Sequence, residues 1–276
     1  MYKSLEEIAQ VSKQKNIPFW QVILEDDCKE RMVSPEQSKK ELMAMYQAMK
    51  EADAAYDAKQ KSRSGMVGGN GQLFHDAVVS GKTICGPVIA SAIEKALKMG
   101  ESNACMKRIV AAPTAGACGV LPAVLVNYQK EKGTADEQIV RALYTAAGIG
   151  QVVAARAYIA GASGGCQAEI GTASAMAAGA LTALGGGTPS QITHAAAMAL
   201  KNLLGLVCDP VGGLVEVPCV KRNVIGSVNA LSAADMALAG IISRIPPDQV
   251  IDAMREVGDQ MHPSLRETGQ GGLANT

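Results

Sequence analysis

Apolar residues in this chain recur at three- and four-residue spacing far more often than they alternate, and the pattern predicts helix after helix. Ser34-Pro35-Glu36-Gln37 supplies a serine cap, a proline at the first helical position and a glutamine three residues on. The helix it opens is expected to run to about Lys59, with Leu42, Met45, Tyr46 and Met49 facing the main body. Gly86-Pro87 opens a second helix that closes at Gly100. Thr134-Ala135-Asp136-Glu137 reads as a capping box for a long helix to about Ala160, and Thr188-Pro189-Ser190-Gln191 as another for a helix closing at Gly205. Lys221 to about Ile242 and Pro247 to Gln260 complete the series; the segment 206–220 is the best extended candidate. Between Arg141 and Lys201 the only charges are Arg156 and Glu169, and a helical region apolar all round is a buried one. Its residues are small (Ala173, Ala175, Ala177, Ala178, Gly179, Ala180), which lets helix backbones approach closely. The expected fold class is all-α: a compact helical domain with buried Ala/Gly-rich central helices and loops where those helices end.

Charge divides the chain. Of its 52 Asp, Glu, Lys and Arg residues, 22 fall within residues 1–63. We therefore expect a charged helical appendage over residues 1–62 and the main domain over 63–276. Net charge is zero and aromatics are 3% of the residues, so neither a basic surface nor a set of stacking platforms points to nucleic acid. Seven cysteines in 276 residues are not a disulfide scaffold. Residues 1–30 carry charge throughout, with no apolar leader, and a reducing cytoplasm is the expected compartment.

Three of the cysteines draw attention by their setting. Cys166, Cys208 and Cys219 each lie at a break in a helical pattern, flanked by glycine or proline, with the spacing Cys-x41-Cys-x10-Cys. Thiolates meeting at one point would suit a soft metal or an iron–sulfur cluster. Spacing alone favours plain burial, because free cysteine is a common core residue and this spacing is no general cluster pattern.

The surrounding residues add more. The stretch Gly165-Cys166-Gln167-Ala168-Glu169, the run from Gly205 through Cys208-Asp209-Pro210 to Val217-Pro218-Cys219, and the pair Arg222-Asn223 resemble the α chain of the iron–sulfur-dependent bacterial L-serine dehydratases. The likeness extends from about Ser62 to Ala274. It includes Ala112-Pro113-Thr114-Ala115-Gly116-Ala117-Cys118-Gly119 and the terminal Gly271-Gly272-Leu273-Ala274. The resemblance implies that Cys166, Cys208 and Cys219 hold a [4Fe-4S] cluster with one iron open to substrate. It implies β-elimination of water from L-serine to give pyruvate and ammonia, and a separate β subunit as partner. No cysteine follows Cys219, so no C-terminal thiolate is expected on the fourth iron. A related L-cysteine desulfidase and a non-catalytic cluster protein that senses oxygen or redox state are the alternatives.

The remaining candidates are weaker. Ser80-Gly81-Lys82-Thr83 resembles the end of a phosphate-binding loop, but Asp76 stands where that loop needs glycine. A pyridoxal-phosphate enzyme would need a lysine with a glycine-rich cup, and Lys82, Lys107 and Lys201 lack one. The stretch 64–71 serves equally as a flexible loop or as a nest of N–H groups for a substrate carboxylate. On the nest reading Gly68, Gly69 and Asn70 bind substrate, as do Thr114 and Gly116 in a second such loop. Ser64 and His75 are the candidates for the catalytic base, with Lys82 orienting the carboxylate. His194 reads as a hydrogen-bonded buried imidazole. Glu169, isolated in a charge-poor region, should be paired or functional, and Arg156 is the expected partner.

Overall fold

The computed structural model describes residues 1–276. Twelve α-helices account for the architecture, with no β-sheet. They are α1 (Leu5–Lys15), α2 (Phe19–Arg31), α3 (Pro35–Ala54), α4 (Asn70–Val79), α5 (Pro87–Ala104), α6 (Val120–Lys132), α7 (Asp136–Arg156), the single turn α8 (Gly161–Gly164), α9 (Thr172–Leu184), α10 (Pro189–Lys201), α11 (Cys219–Leu238) and α12 (Pro247–Gln260). A π-turn, Gln167–Gly171, leads directly into α9. No helix is long and apolar enough to cross a membrane.

Helix α9 is the axis of the molecule. Every residue from Thr172 to Thr182 is buried, and α6, α7, α10 and α11 pack around it. Its small residues make this approach feasible: a Cβ added to Gly179 would stand 2.1 Å from Cδ1 of Ile149 on α7. Helix α5 lies on the far side of α11, and α4 packs on α5.

The first three helices carry the charge expected of them but share the same core. Leu5, Ile8, Phe19, Val22, Ile23, Tyr46 and Met49 join the continuous apolar cluster that includes α7, α9 and α10. A large side chain buried in this way contributes about 1.5–3 kcal/mol. Asp248, in the first turn of α12, accepts from Ser4 Oγ and from the N–H of Leu5, both at 2.8 Å, so the last helix caps the first. On α3, Tyr46 and Met49 are buried and Leu42 is partly so, whereas Met45 is 53% exposed.

Several helix ends differ from expectation. Helix α3 stops at Ala54 rather than Lys59, because the chain turns to bring the Tyr56 hydroxyl onto Glu101 at 2.6 Å. Thr134 forms no capping box: Ala135 is the cap residue, and the Asp136 carboxylate is held by Lys50, Gln47 and Gln129. Helix α7 ends at Arg156 and α5 continues to Ala104, past Gly100. The box at Thr188 and Gln191 is present as read, although α10 ends at Lys201. The segment 206–220 contributes only one isolated bridge, Cys208 to Arg266.

Candidate functional site

Three segments of chain meet where Cys166, Cys208 and Cys219 lie. Cys166 immediately precedes the π-turn and Cys219 opens α11. Cys208 sits on extended backbone between α10 and α11, where its N–H donates to the Leu265 carbonyl at 2.8 Å. All three are buried. Burial pushes the Cys166 thiol up to about 12 and the Cys219 thiol up to about 11, and raises Cys208 as well; Cys219 adds to the rise at Cys166, and both add to the rise at Cys208.

Three buried side chains hold these segments in place. Gln167 receives the N–H of Gly205 on its Oε1 at 2.9 Å, and its own N–H donates to the Leu206 carbonyl at 2.9 Å, which ties the Cys208 strand to the Cys166 turn. Arg222, one turn into α11 from Cys219, donates to the Val207 carbonyl at 2.7 Å and to Asp209 Oδ1 at 2.8 Å. It thus brackets Cys208 from both sides. Asn223 accepts from the Gly119 N–H at 2.8 Å and donates to the carbonyls of Gly116 and Cys219, at 2.8 and 3.1 Å. That fixes the loop 114–119 against the start of α11.

Two carboxyl groups also reach this place. Glu169 accepts a short hydrogen bond from the Thr114 hydroxyl, and a Cβ on Gly116 would stand 2.6 Å from its Oε2. Only glycine leaves that room. Burial raises the Glu169 carboxyl above the usual range, the Thr114 hydrogen bond opposes this and the Glu267 charge adds to it. The expected Arg156 partner is absent. Arg156 forms a two-pronged pair with Asp252 on α12, at 3.1 and 2.6 Å, because it closes α7 on the side that faces α12. Glu267 comes from the C-terminal segment, and its N–H donates to the Cys208 carbonyl at 2.7 Å.

The glycine stretch 64–71 approaches from another side. Ser62 and Ser64 both donate to the buried Glu216 carboxylate, three residues before Cys219. The N–H groups of Asn70 and Gly71 hold the carboxylate of Glu101, at 2.8 and 3.1 Å, at the start of α4. Gly68 and Gly69 make the left-handed turns that lead into that helix. His75, on α4, bonds Glu94 at 3.1 Å, and Glu94 is shared with Lys98. Lys82 lies exposed in the turn after α4 and forms no ion pair. The structure thus gathers Thr114, Gly116 and the three cysteines, and links Ser64 to them through Glu216. His194 differs from its expected state, since its Nδ1 is buried with no hydrogen-bond partner.

Of the other cysteines, Cys118 is buried beside the site and its thiol points to the Met99 carbonyl at 3.8 Å. Cys85 is exposed, and Cys28 and Cys105 are half-buried. A large surface cavity of about 1000 Å³ lies elsewhere, between α1, α2 and the start of α10, and contains none of these residues.

No three His, Cys, Asp or Glu side chains stand close enough to grip a single metal ion. The three buried thiols would suit a larger group such as an iron–sulfur cluster, since thiolate is the ligand such clusters select. Sequence reasoning passed over Glu267 altogether, as a lone acid in a glycine-rich tail carries no local signal. Gln167, Asp209, Arg222 and Asn223 stood inside quoted motifs without assigned roles.

Known proteins resemble the chain over nearly its whole length. The family described as serine dehydratase alpha chain matches residues 14–274. The chain is 46% identical to a probable L-serine dehydratase, alpha chain, of Bacillus subtilis, over all of this chain and 92% of that protein. It is 43% identical to the L-serine dehydratase, alpha chain, of Peptoniphilus asaccharolyticus, over all of this chain and 95% of that one. A 49% identical match to the L-serine dehydratase of Mycobacterium bovis takes in 65% of this chain and 40% of that longer protein. The chain belongs to the serine dehydratase alpha chain family.

Proposed function

We propose that the chain is the α subunit of a [4Fe-4S]-dependent L-serine dehydratase, working with a separate β subunit. The observation that carries the reading is the meeting of three buried cysteines from three separate segments, in a member of the serine dehydratase alpha chain family. Relatives that share this family bear the words alpha chain in their names, which supports a second subunit.

Cys166, Cys208 and Cys219 would hold the cluster. When bound, it supplies a Lewis-acid iron for the β-hydroxyl, which is otherwise a poor leaving group. The reaction removes the Cα proton and the β-hydroxyl of serine as water. The resulting aminoacrylate becomes an imine and takes up one water to give pyruvate and ammonia. This chain's own residues bind, orient and move protons. Glu169 keeps its proton more firmly than an ordinary carboxyl and stands three residues after Cys166, so it is our leading acid–base group. Thr114 orients it, and Gly116 leaves it space. We assign Thr114 and Gly116 to the substrate side of the site. Ser64 is a second proton-transfer candidate through its contact with Glu216. His75 and Lys82 are the further candidates for the base and for carboxylate orientation; the Gly68, Gly69 and Asn70 turn, whose Asn70 N–H already holds Glu101, is left out of this reading of substrate binding.

Single Cys→Ser replacements test this. Cys166→Ser, Cys208→Ser and Cys219→Ser should abolish iron–sulfur absorption and pyruvate formation from L-serine, while Cys28→Ser, Cys85→Ser and Cys105→Ser keep both. A full complement of iron and sulfide in Cys208→Ser would overturn the assignment. Turnover of L-cysteine in preference to L-serine would redirect the reading to desulfidation.

A further inference from the structure

We infer that Glu267 reads the α-ammonium of the substrate, so that the site accepts α-amino β-hydroxy acids and discriminates against hydroxy acids that lack the ammonium. The inference rests on the proposed reaction at the three-cysteine centre and adds the recognition of one substrate group to it.

Glu267 is placed by its backbone. The strand around Cys208 grips it from both directions: the Cys208 N–H donates to Leu265 O, and the Glu267 N–H donates to Cys208 O. The residue has φ +63°, in the left-handed region that side chains other than glycine and asparagine rarely enter. Nearby positive-φ positions, Gly269 and Gly272, are indeed glycine. A backbone clamp alone would be served better by either of those residues, so the side chain itself needs a reason.

Its surroundings supply one. A Cβ built on Gly161 would stand 2.8 Å from Cys208 Sγ and 3.2 Å from Glu267 Oε2, so those two atoms are at most 6.0 Å apart across a gap that only glycine leaves open. The Glu267 carboxylate has no ion pair and no side-chain hydrogen bond, and the residue is exposed. Arg222, the cation of the centre, is committed to Asp209, to the Val207 carbonyl and to the Cys166 thiol. The centre therefore presents an accessible negative group with no protein cation to neutralise it. In serine the ammonium nitrogen and the leaving oxygen are three bonds apart. A group that holds the first while the second meets the thiol centre must stand within a few ångströms of that centre, as Glu267 does.

The test uses cluster-loaded enzyme and the variants Glu267→Gln and Glu267→Asp. A hydrogen bond to a charged group is worth enough to change affinity by about 10- to 100-fold. In Glu267→Gln the KM for L-serine should rise by that factor with kcat within about threefold, a pattern of lost ground-state binding. Calorimetric affinity for L-alanine, which has the ammonium and no leaving group, should fall by the same factor, and affinity for L-lactate should not change. Glu267→Asp should recover part of the loss. An unchanged KM, a fall in kcat alone, or equal weakening of L-alanine and L-lactate in Glu267→Gln would overturn the inference, the last by showing a displaced tail. Wild-type enzyme that binds L-alanine no better than L-lactate would overturn it as well. Loaded wild-type enzyme that fails to turn over L-serine would instead overturn the proposed reaction.

Discussion

Glu101, buried, and Glu169, half-buried, are both carboxyl groups beside glycine-bearing loops, yet they are treated differently. Glu101, 1% exposed, receives three donors: the Tyr56 hydroxyl and the N–H groups of Asn70 and Gly71. It joins the turn after α3, the start of α4 and the body of α5. Glu169 receives one donor, from Thr114, feels the Glu267 charge and lies within electrostatic reach of the three thiols. A carboxylate saturated with donors is a structural joint, since every lone pair withdrawn from water is met again. One left short of donors retains proton affinity and capacity for a substrate. The first is the nest that the glycine stretch suggests, filled by the protein's own side chain; the second is the residue expected to pair with Arg156 and left without it.

The contrast can be broken from either side. The largest effect is expected in Glu169→Gln: a loss of about 10²- to 10⁴-fold in kcat, the usual share of a general acid–base group, with cluster absorption retained. A variant within threefold of wild type would remove Glu169 from the chemistry. The same substitution predicts a stability difference in the apo protein. A carboxyl raised in the folded state keeps a proton that the unfolded chain has released, so wild-type stability falls as pH rises from about 4.5 through the raised value. Glutamine cannot ionise and removes that fall. Urea titrations from pH 4 upward should therefore show Glu169→Gln gaining on wild type.

Glu101→Ala should act in the opposite sense. It strands three donors in a closed place and should cost about 3–4 kcal/mol in urea titrations. Gly116→Ala should cost about 1–3 kcal/mol, as its new methyl meets the Glu169 carboxyl at 2.6 Å, and should lower kcat more than it raises KM. The smallest change is expected in Thr114→Val, about 1 kcal/mol of stability. Its sharper readout is the pH profile: losing the one donor that favours the ionised form should move the Glu169 limb of the kcat profile upward. A limb that stays in place would mean that another group sets it.

Much of the helical order was legible because its determinants are local. The serine cap with Pro35, the box at Thr188 and Gln191, and the Pro247 start all act within one turn, and each is found where the pattern puts it. The burial of α9 followed from a run of small residues with no charge to solvate. The failures have the opposite character. Ala135 replaced Thr134 as the cap of α7, beside an Asp136 held by Lys50 and Gln47, and Tyr56 pulled the chain out of α3 towards Glu101; those partners lie 45 or more residues away in sequence.

The same division runs through the candidate site. By itself the sequence determined that the protein is a bundle of helices around a small-residue core, and which three cysteines stand at helix breaks. Periodicity, caps and glycine or proline punctuation express those things over a few residues. Only the tertiary structure decided that Gln167, Arg222 and Asn223 draw the three cysteine segments together, that Arg156 goes to Asp252, and that Glu267 arrives from the tail. Such pairings depend on which groups are left without water when distant segments pack. A buried donor or charge takes whichever partner the packing brings within reach, and no local pattern records that choice.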